Sequence, residues 1–331
     1  MNVRGRATVA LVAVGVLGAV ALAARALTTA PRLPAEGAVV VIREGDGVGE
    51  IARRLATAGV VRSALLFRLW ARGSGRDRAL QPGTYRFAAA TEISDVLARL
   101  AAGIEPVEIT VPEGLTVHEV ADLVAARGLA SRADVSCLAA DPEFLVAAGV
   151  PGPQLEGYLF PDTYRFAPTA GAGEILETMI RRFHERFGGE RHRRAAELGW
   201  TVNQVVTLAS IVEKETGKPD ERPLVAAVFA NRLRRGMPLQ SDPTVIYGLP
   251  AFGGDLTRAD LMRATPYNTY VVRGLPPGPI ANPGLAAIDA VLAPARSEAL
   301  YFVSRNDGSH EFSATLPQHN RAVERYQRRE R

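Results

Sequence analysis

The sequence predicts an α+β protein built in several parts. Three observations predict it. An uncharged, mostly apolar stretch of eighteen residues stands near the N-terminus. Short β-branched runs then lead through Gly-containing turns into helical periods, and in the C-terminal half helices are separated by long loops rich in Pro, Gly, Tyr and Asn. Read in order, these give an N-terminal transmembrane helix, a small β-α-α-β module, a second related strand-turn-helix segment and a larger α+β domain. The expected boundaries are 1–30, 31–105, 106–150 and 151–331. A chain of 331 residues, 47% apolar and 22% charged, has ordinary globular composition and room for two or three cores.

The apolar stretch is "ATVALVAVGVLGAVALAA", Ala7 to Ala24, with Arg4 and Arg6 before it and Arg25 after it. As a helix it spans roughly 27 Å, close to the thickness of a bilayer core. The basic residues in front predict that the N-terminus stays in the cytoplasm and that everything after Arg25 lies outside. "ALAARA" also offers small-x-small sites, so a cleaved signal peptide is the alternative. Either reading places the bulk of the chain outside the cytoplasmic membrane, on its periplasmic side. That placement argues against chemistry dependent on nucleotide cofactors, and no Gly-rich phosphate loop argues for it.

After a Pro/Ala tether, "VVVIREGDGVGEIARRLATAGVV" (Val39 to Val61) reads as strand, turn and helix, closed at Gly59 by a left-handed cap. "LFRLWARG" continues as helix and "LQPGTYRF" returns as strand, which completes a β-α-α-β module over about 37–88. The module resembles the LysM-like domain, which implies affinity for N-acetylglucosamine-containing polymers; a packing or spacing role is the alternative. The first part of the pattern recurs 69 positions later in "VEITVPEGLTVHEVADLVAARGLA". Glu113, Gly114, Val117, Glu119, Ala121 and Gly128 match Glu44, Gly45, Val48, Glu50, Ala52 and Gly59, as in a diverged duplication.

From about Pro151 the loops lengthen, as a binding cleft requires. The chemistry centres on "TVNQVVTLASIVEKET", a helix with Thr201 as N-cap. On a helical wheel Val205, Leu208, Ala209 and Val212 form one apolar arc and Lys214 points away from it. Glu213 and Glu215 both fall within the arc but about 160° apart, so they are not a paired dyad. A carboxyl on an apolar face is expected to hold its proton to higher pH, which is how a general acid is made. The competing expectation is pairing with an arginine, Arg222 or Arg232, from the next helix. That helix runs from about Pro223 to Arg234. "LQSDPT" beyond its end is placed for Gln240 and Asp242 to reach toward the first helix's carboxyl.

Composition excludes other classes. Net charge is +4, carried almost wholly by arginine, since Lys214 and Lys218 are the only lysines. The densest basic run, "RRFHERFGGERHRR", is interspersed with glutamates and reads as a solvated helix face rather than a nucleic-acid surface. The single cysteine, Cys137, is expected to be packed and cannot supply an internal disulfide or a cysteine metal cluster. A Ser-Lys nucleophile fails because Lys214 follows Ser210 by four positions and points outward. No cofactor and no metal are implied.

The ordered set "EGYLFPDTY", "LASIVEKET", "NRLRRGMPLQSDPTVIYG", "TPYNTY" and "GLPPGPIANPG" resembles the endolytic murein transglycosylases of the YceG-like (MltG) type, over essentially the whole chain. The resemblance implies non-hydrolytic cleavage of MurNAc–GlcNAc β-1,4 bonds in nascent peptidoglycan strands, leaving 1,6-anhydro ends. It further implies residence in the cytoplasmic membrane through one transmembrane helix, and work beside cell-wall synthases. Carried over onto "SIVEKE", it places the catalytic glutamate at Glu213, acting as acid and then base, with Glu215 structural and paired to an arginine. Tyr158, Gln240, Asp242, Tyr247, Asn268 and Tyr270 are candidate sugar contacts. Two rival readings stand beside it: a two-carboxylate hydrolase using Glu213 with Asp242 or Glu156, and a non-catalytic wall-binding scaffold.

Overall fold

A computed structural model describes Leu33 and residues 37–88 and 91–327; the apolar stretch Ala7 to Ala24 lies outside the described residues. Among the described residues no helix is long and apolar enough to cross a membrane. The chain is a mixed α+β structure with three two-stranded sheets among the described residues. It divides into two compact units, Met1–Val107 with Ala167–Thr169, and Glu108–Phe166 with Ala170–Arg331.

In the first unit β1 (Ala38–Ile42) pairs antiparallel with β2 (Gly83–Phe87), Ala38 lying opposite Phe87 and Ile42 opposite Gly83. Alternation along the pleat turns Val40, Ile42, Tyr85 and Phe87 inward. Helix α1 (Val48–Thr57) covers them with Ile51, Ala52 and Leu55. Helix α2 (Ala64–Gly73) adds Phe67 and Ala71, and its cap Ser63 accepts from the Leu66 amide. Helix α3 (Ile93–Ala102) closes the core with Ile93, Val96, Leu97 and Leu100.

The boundary between the units falls at the start of β3 (Val107–Thr110). Its continuation is α4 (Val117–Ala126), held at its start by a capping box between Thr116 and Glu119. Helices α5 (Arg132–Ala139) and α6 (Pro142–Ala147) follow, and β4 (Thr163–Phe166) returns to pair with β3. The second strand-turn-helix segment therefore also ends in a returning strand. The two copies share backbone as well as side chains. Gly45 and Gly114 have φ of +84° and +79°, and Gly59 and Gly128 have +73° and +68°, a conformation that excludes most side chains at all four positions. Cys137 is exposed on α5, not packed; the apolar residues α5 buries are Val135 and Ala139, on another side of the helix.

Helix α7 (Ala172–Glu197) is broken by a kink at Gly188, whose φ of +58° and ψ of 172° are not helical. Helix α8 (Val202–Glu215) begins at a capping box between Thr201 and Gln204 and buries every residue from Val205 to Val212. It packs against α9 (Arg222–Arg234) and α12 (Leu285–Leu292), with the short helices α10 (Asp242–Gly248) and α11 (Arg258–Met262) between them in sequence. The chain closes with the antiparallel hairpin β5 (Tyr301–Ser304) and β6 (His310–Ser313), turned at Asn306 with φ +63°, and helix α13 (Leu316–Gln327).

Candidate active site

Two carboxylates leave the C-terminal turn of α8 in different directions, and the fold gives them different partners. Glu213 is an ion-paired residue. Its Oε1 accepts from Arg222 Nη2 at 2.8 Å and its Oε2 from the Gly284 amide at 2.9 Å. The side chains are 5% and 10% exposed, so the pair is buried. Glu113, from the turn of the second strand-turn-helix copy, lies on the same guanidinium at 3.6 Å. Its carboxyl is pushed up by desolvation and by the negative charge of Glu213, with Arg222 opposing. One arginine thus serves two acids, and Lys214 Nζ, donating to the Gly114 carbonyl, ties the same turn to α8.

Glu215 has the opposite environment. The residue keeps part of its surface in solvent, while its carboxyl is enclosed by protein. Ser241 Oγ donates to its Oε1 at 2.5 Å. Burial pushes its pKa up to about 7; the Ser241 hydrogen bond opposes that shift, the charge of Asp242 adds to it, and Arg232 opposes it. Arg232, expected as an ion-pair partner, instead donates to the backbone carbonyls of Leu300 at 2.7 Å and Leu239 at 2.6 Å. The expectation that Glu215 pairs with an arginine is corrected accordingly: Arg232 acts on it through space, its donors being held by carbonyls.

Three predicted contacts gather beside Glu215. Gln240 is exposed and has φ of +52°, an unfavourable left-handed conformation for a residue with a side chain. Its amide donates to the Thr269 carbonyl at 3.1 Å, which holds the turn in place. Asp242 opens α10 and is exposed, and Tyr270 donates its hydroxyl to Asp242 Oδ1 at 2.6 Å. Desolvation first, and then that bond to Asp242, keep the Tyr270 phenol protonated far above its usual range. Ser241 and Thr269 complete the arrangement, Ser241 N donating to Thr269 Oγ1 at 3.0 Å.

Three others are placed elsewhere. Tyr158 is buried in the core against Phe183, its ring 1% exposed and its hydroxyl donating to Asn203 at 3.1 Å. Asn268 is wholly buried and builds a turn, its amide donating to the carbonyls of Asp260, Leu261 and Arg263 and its oxygen accepting from the Tyr270 amide. It positions Tyr270 through that last bond. Tyr247 belongs to a second polar centre, donating to Glu156 Oε2 at 3.1 Å while accepting from Gln154 at 2.7 Å. Glu156 is buried and pushed up to about 8 by desolvation, against hydrogen bonds from Val117 N and Tyr247 that lower it.

Sequence reasoning did not single out Ser241, the donor to Glu215, or Asn282, the hub of the surrounding loops. Asn282 Oδ1 accepts from the amides of Gly157 at 3.0 Å and Leu159 at 2.9 Å, and its Nδ2 donates to Leu115 O at 2.8 Å. Its position in the long "GLPPGPIANPG" loop was the available signal. Among the described residues no group of three His, Cys, Asp or Glu side chains could hold a metal ion.

Comparisons with known proteins show the family. Residues 40–325 match the model of the YceG-like family. An endolytic murein transglycosylase of Bacillus subtilis is 32% identical over 305 residues, covering 86% of this chain and 83% of its own. A protein of the same name from Streptococcus pneumoniae is 32% identical over 317 residues; this chain spans 57% of its length. The crystal structure of a yceG-like protein from Listeria monocytogenes superposes with a TM-score of 0.60 at 31% identity, over 86% of this chain and 98% of that one. With a family match over most of its length and relatives at this identity, the chain belongs to the YceG-like family.

Proposed function

We propose that this protein is a peptidoglycan lytic transglycosylase that cleaves MurNAc–GlcNAc β-1,4 bonds in glycan strands, with Glu215 as its general acid and then base. The observation that carries the proposal is Glu215 itself: a carboxyl enclosed by protein, with no ion-pair partner among the described residues, pushed up to about 7, beside the exposed side chains of Gln240 and Asp242. The names of the Bacillus and Streptococcus relatives support the reaction class. The carry-over from the resemblance favoured Glu213; we choose Glu215 instead because both oxygens of Glu213 are already engaged, by Arg222 and by the Gly284 amide, in a buried ion pair.

The chemistry needs one titrating carboxyl. Protonated Glu215 gives its proton to the glycosidic oxygen as the C1–O bond breaks, and the GlcNAc 4-hydroxyl leaves. The resulting carboxylate takes the proton of the MurNAc 6-hydroxyl as that oxygen attacks C1, which closes a 1,6-anhydro ring and restores the acid. No water is consumed. Near neutral pH a group with a pKa of about 7 serves both half-reactions. Gln240, Asp242 and Tyr270 are the proposed contacts for the sugars at this site.

A second reading is supported by Asp242, an exposed carboxylate whose charge acts on Glu215. Paired with Glu215 it would make a two-carboxylate hydrolase. Product mass separates the two. The full chain in detergent, incubated with uncrosslinked glycan strands, is expected to yield ends one water lighter than hydrolysed ends. Hydrolysed ends would favour the pair, and no cleavage would favour a wall-binding scaffold.

The remaining parts of the reading are proposals of the same kind. The stretch Ala7 to Ala24 anchors the chain in the cytoplasmic membrane, the β1–α1–α2–β2 module is LysM-like and holds the enzyme near glycan, and cell-wall synthases supply the strands that it cuts.

A further inference from the structure

The face of α2 that points away from the first unit's core carries exposed apolar residues, and the chain through and after it is rich in arginines that no acid pairs among the described residues. Leu65 and Leu69, one helical turn apart, are 61% and 59% exposed, and the adjacent Trp70 is 48% exposed. Single exposed apolar residues are ordinary; three together on one helix face are not. Arg62, Arg72, Arg76 and Arg78, close to them in sequence, are exposed and Arg68 is partly so; Asp77 is the only acid between Val60 and Pro82, and Glu50 of α1, which shares a groove with Leu65 and Arg68, is itself paired to Arg53 and Arg54. Among the described residues none of these five arginines is in an ion pair, although Arg53 and Arg54 on the neighbouring α1 both are.

We infer that this face of α2 docks on an anionic phospholipid surface, the outer leaflet of the membrane in which the chain is anchored. The residue pattern fits an interfacial helix: Leu65 and Leu69 enter the headgroup boundary, Trp70 sits at its level, and the arginines meet lipid phosphates. A glycan fits less well, since helix α2 offers no Asn, Gln, Asp or Glu to bind hydroxyl and acetamido groups.

Chain length supports the same occupant. Leu33 packs on the first unit's core beside Gly59, close in sequence to the Ser63 cap of α2. Residues 25–32 alone separate it from the apolar stretch that ends at Ala24. Eight residues extend to at most about 28 Å. A membrane-inserted segment would therefore hold this side of the unit within reach of the bilayer. The inference rests on the membrane-anchor reading and is independent of the transglycosylase reading.

Trp70 and Trp200 are the only tryptophans, so Trp200→Phe makes Trp70 the sole reporter. The full-length variant is reconstituted into vesicles with about 30% phosphatidylglycerol, and into phosphatidylcholine vesicles, each with and without acyl-brominated lipid. Flotation with the vesicles checks the anchor, and failure to float overturns the anchor reading and this inference with it. The expected result is a blue-shifted Trp70 emission, quenched by brominated lipid in the anionic vesicles. Quenching is expected to fall at least about twofold in 1 M salt, where the screening length shrinks to about 3 Å, and in the double variant Arg62→Glu with Arg72→Glu. Three results would overturn the docking surface: Trp70 emission indifferent to brominated lipid, quenching equal in both vesicle types, or a Trp70 shift produced only by added glycan fragments.

Discussion

Ser241 Oγ donates to Glu215 Oε1 at 2.5 Å, and this is the contact through which the turn after α9 reaches the carboxyl at the end of α8. A hydrogen bond from a hydroxyl favours the carboxylate, whereas burial and the charge of Asp242 favour the neutral acid. If Glu215 must be protonated to donate, the rate falls as pH rises through about 7, the value at which the acid loses its proton. Ser241→Ala removes the contact that favours the charged form, so the alkaline limb of the pH–rate profile is expected to move upward by roughly half a unit to one unit. Initial rates on uncrosslinked glycan across pH 5 to 9 check both the limb and its movement.

Glu156 makes a separate statement about stability. Its folded-state pKa is raised from 4.5 to about 8, so the folded protein holds a proton that the unfolded chain releases. Stability from this group is fully present below pH 4.5 and declines as pH rises toward 8. Glu156→Gln keeps an acceptor for Val117 N and presents an amide to the Tyr247 hydroxyl, imitating the neutral acid. The variant is expected to unfold at higher temperature than the parent at pH 8.5 and at about the same temperature at pH 5. Calorimetry at the two pH values measures the difference.

Glu213 and Arg222 bury opposite charges together, and breaking such a pair from one side strands the other. Glu213→Ala is expected to destabilise the second unit by about 2–4 kcal/mol, the residual contact to Glu113 softening the loss. Activity per folded molecule should stay within about tenfold of the parent, since the pair stands apart from the Glu215–Ser241 contact. Denaturant midpoints and rates normalised to the folded fraction separate the two effects.

The left-handed Gln240 offers a test of strain. Gln240→Ala keeps the strain and removes the amide; Gln240→Gly removes both. Both variants are expected to lose activity to a similar degree, while the glycine variant should be more stable than the alanine variant by about 1 kcal/mol. Paired thermal melts and glycan-cleavage rates check this.

Much of the fold was legible in the sequence because it is written in local rules. The Thr201 cap, the Gly59 and Gly128 termini, the Asn306 turn and the duplicated strand-turn-helix follow from short-range conformational preference. The candidate site was legible only as a neighbourhood. The helical wheel separated Glu213 from Glu215 but could not say which would meet a guanidinium, because Arg222 and Gly284 come from α9 and from the residue before α12. Two of the expected sugar contacts are buried away from Glu215 for a related reason. Tyr158 and Asn268 are a loop tyrosine and asparagine of the kind that line clefts, yet long-range packing turned one into the core and the other into a turn.

The central claim is that Glu215, and not Glu213, moves the proton. The most direct test is single-turnover formation of 1,6-anhydro ends, read by mass spectrometry, by Glu215→Gln and Glu213→Gln side by side with the parent. The account predicts a loss of about 10²–10⁴-fold for Glu215→Gln with an intact fold, and a loss below about tenfold per folded molecule for Glu213→Gln. Anhydro-end formation by Glu215→Gln at the parent rate, with Glu213→Gln inactive yet folded, would contradict it.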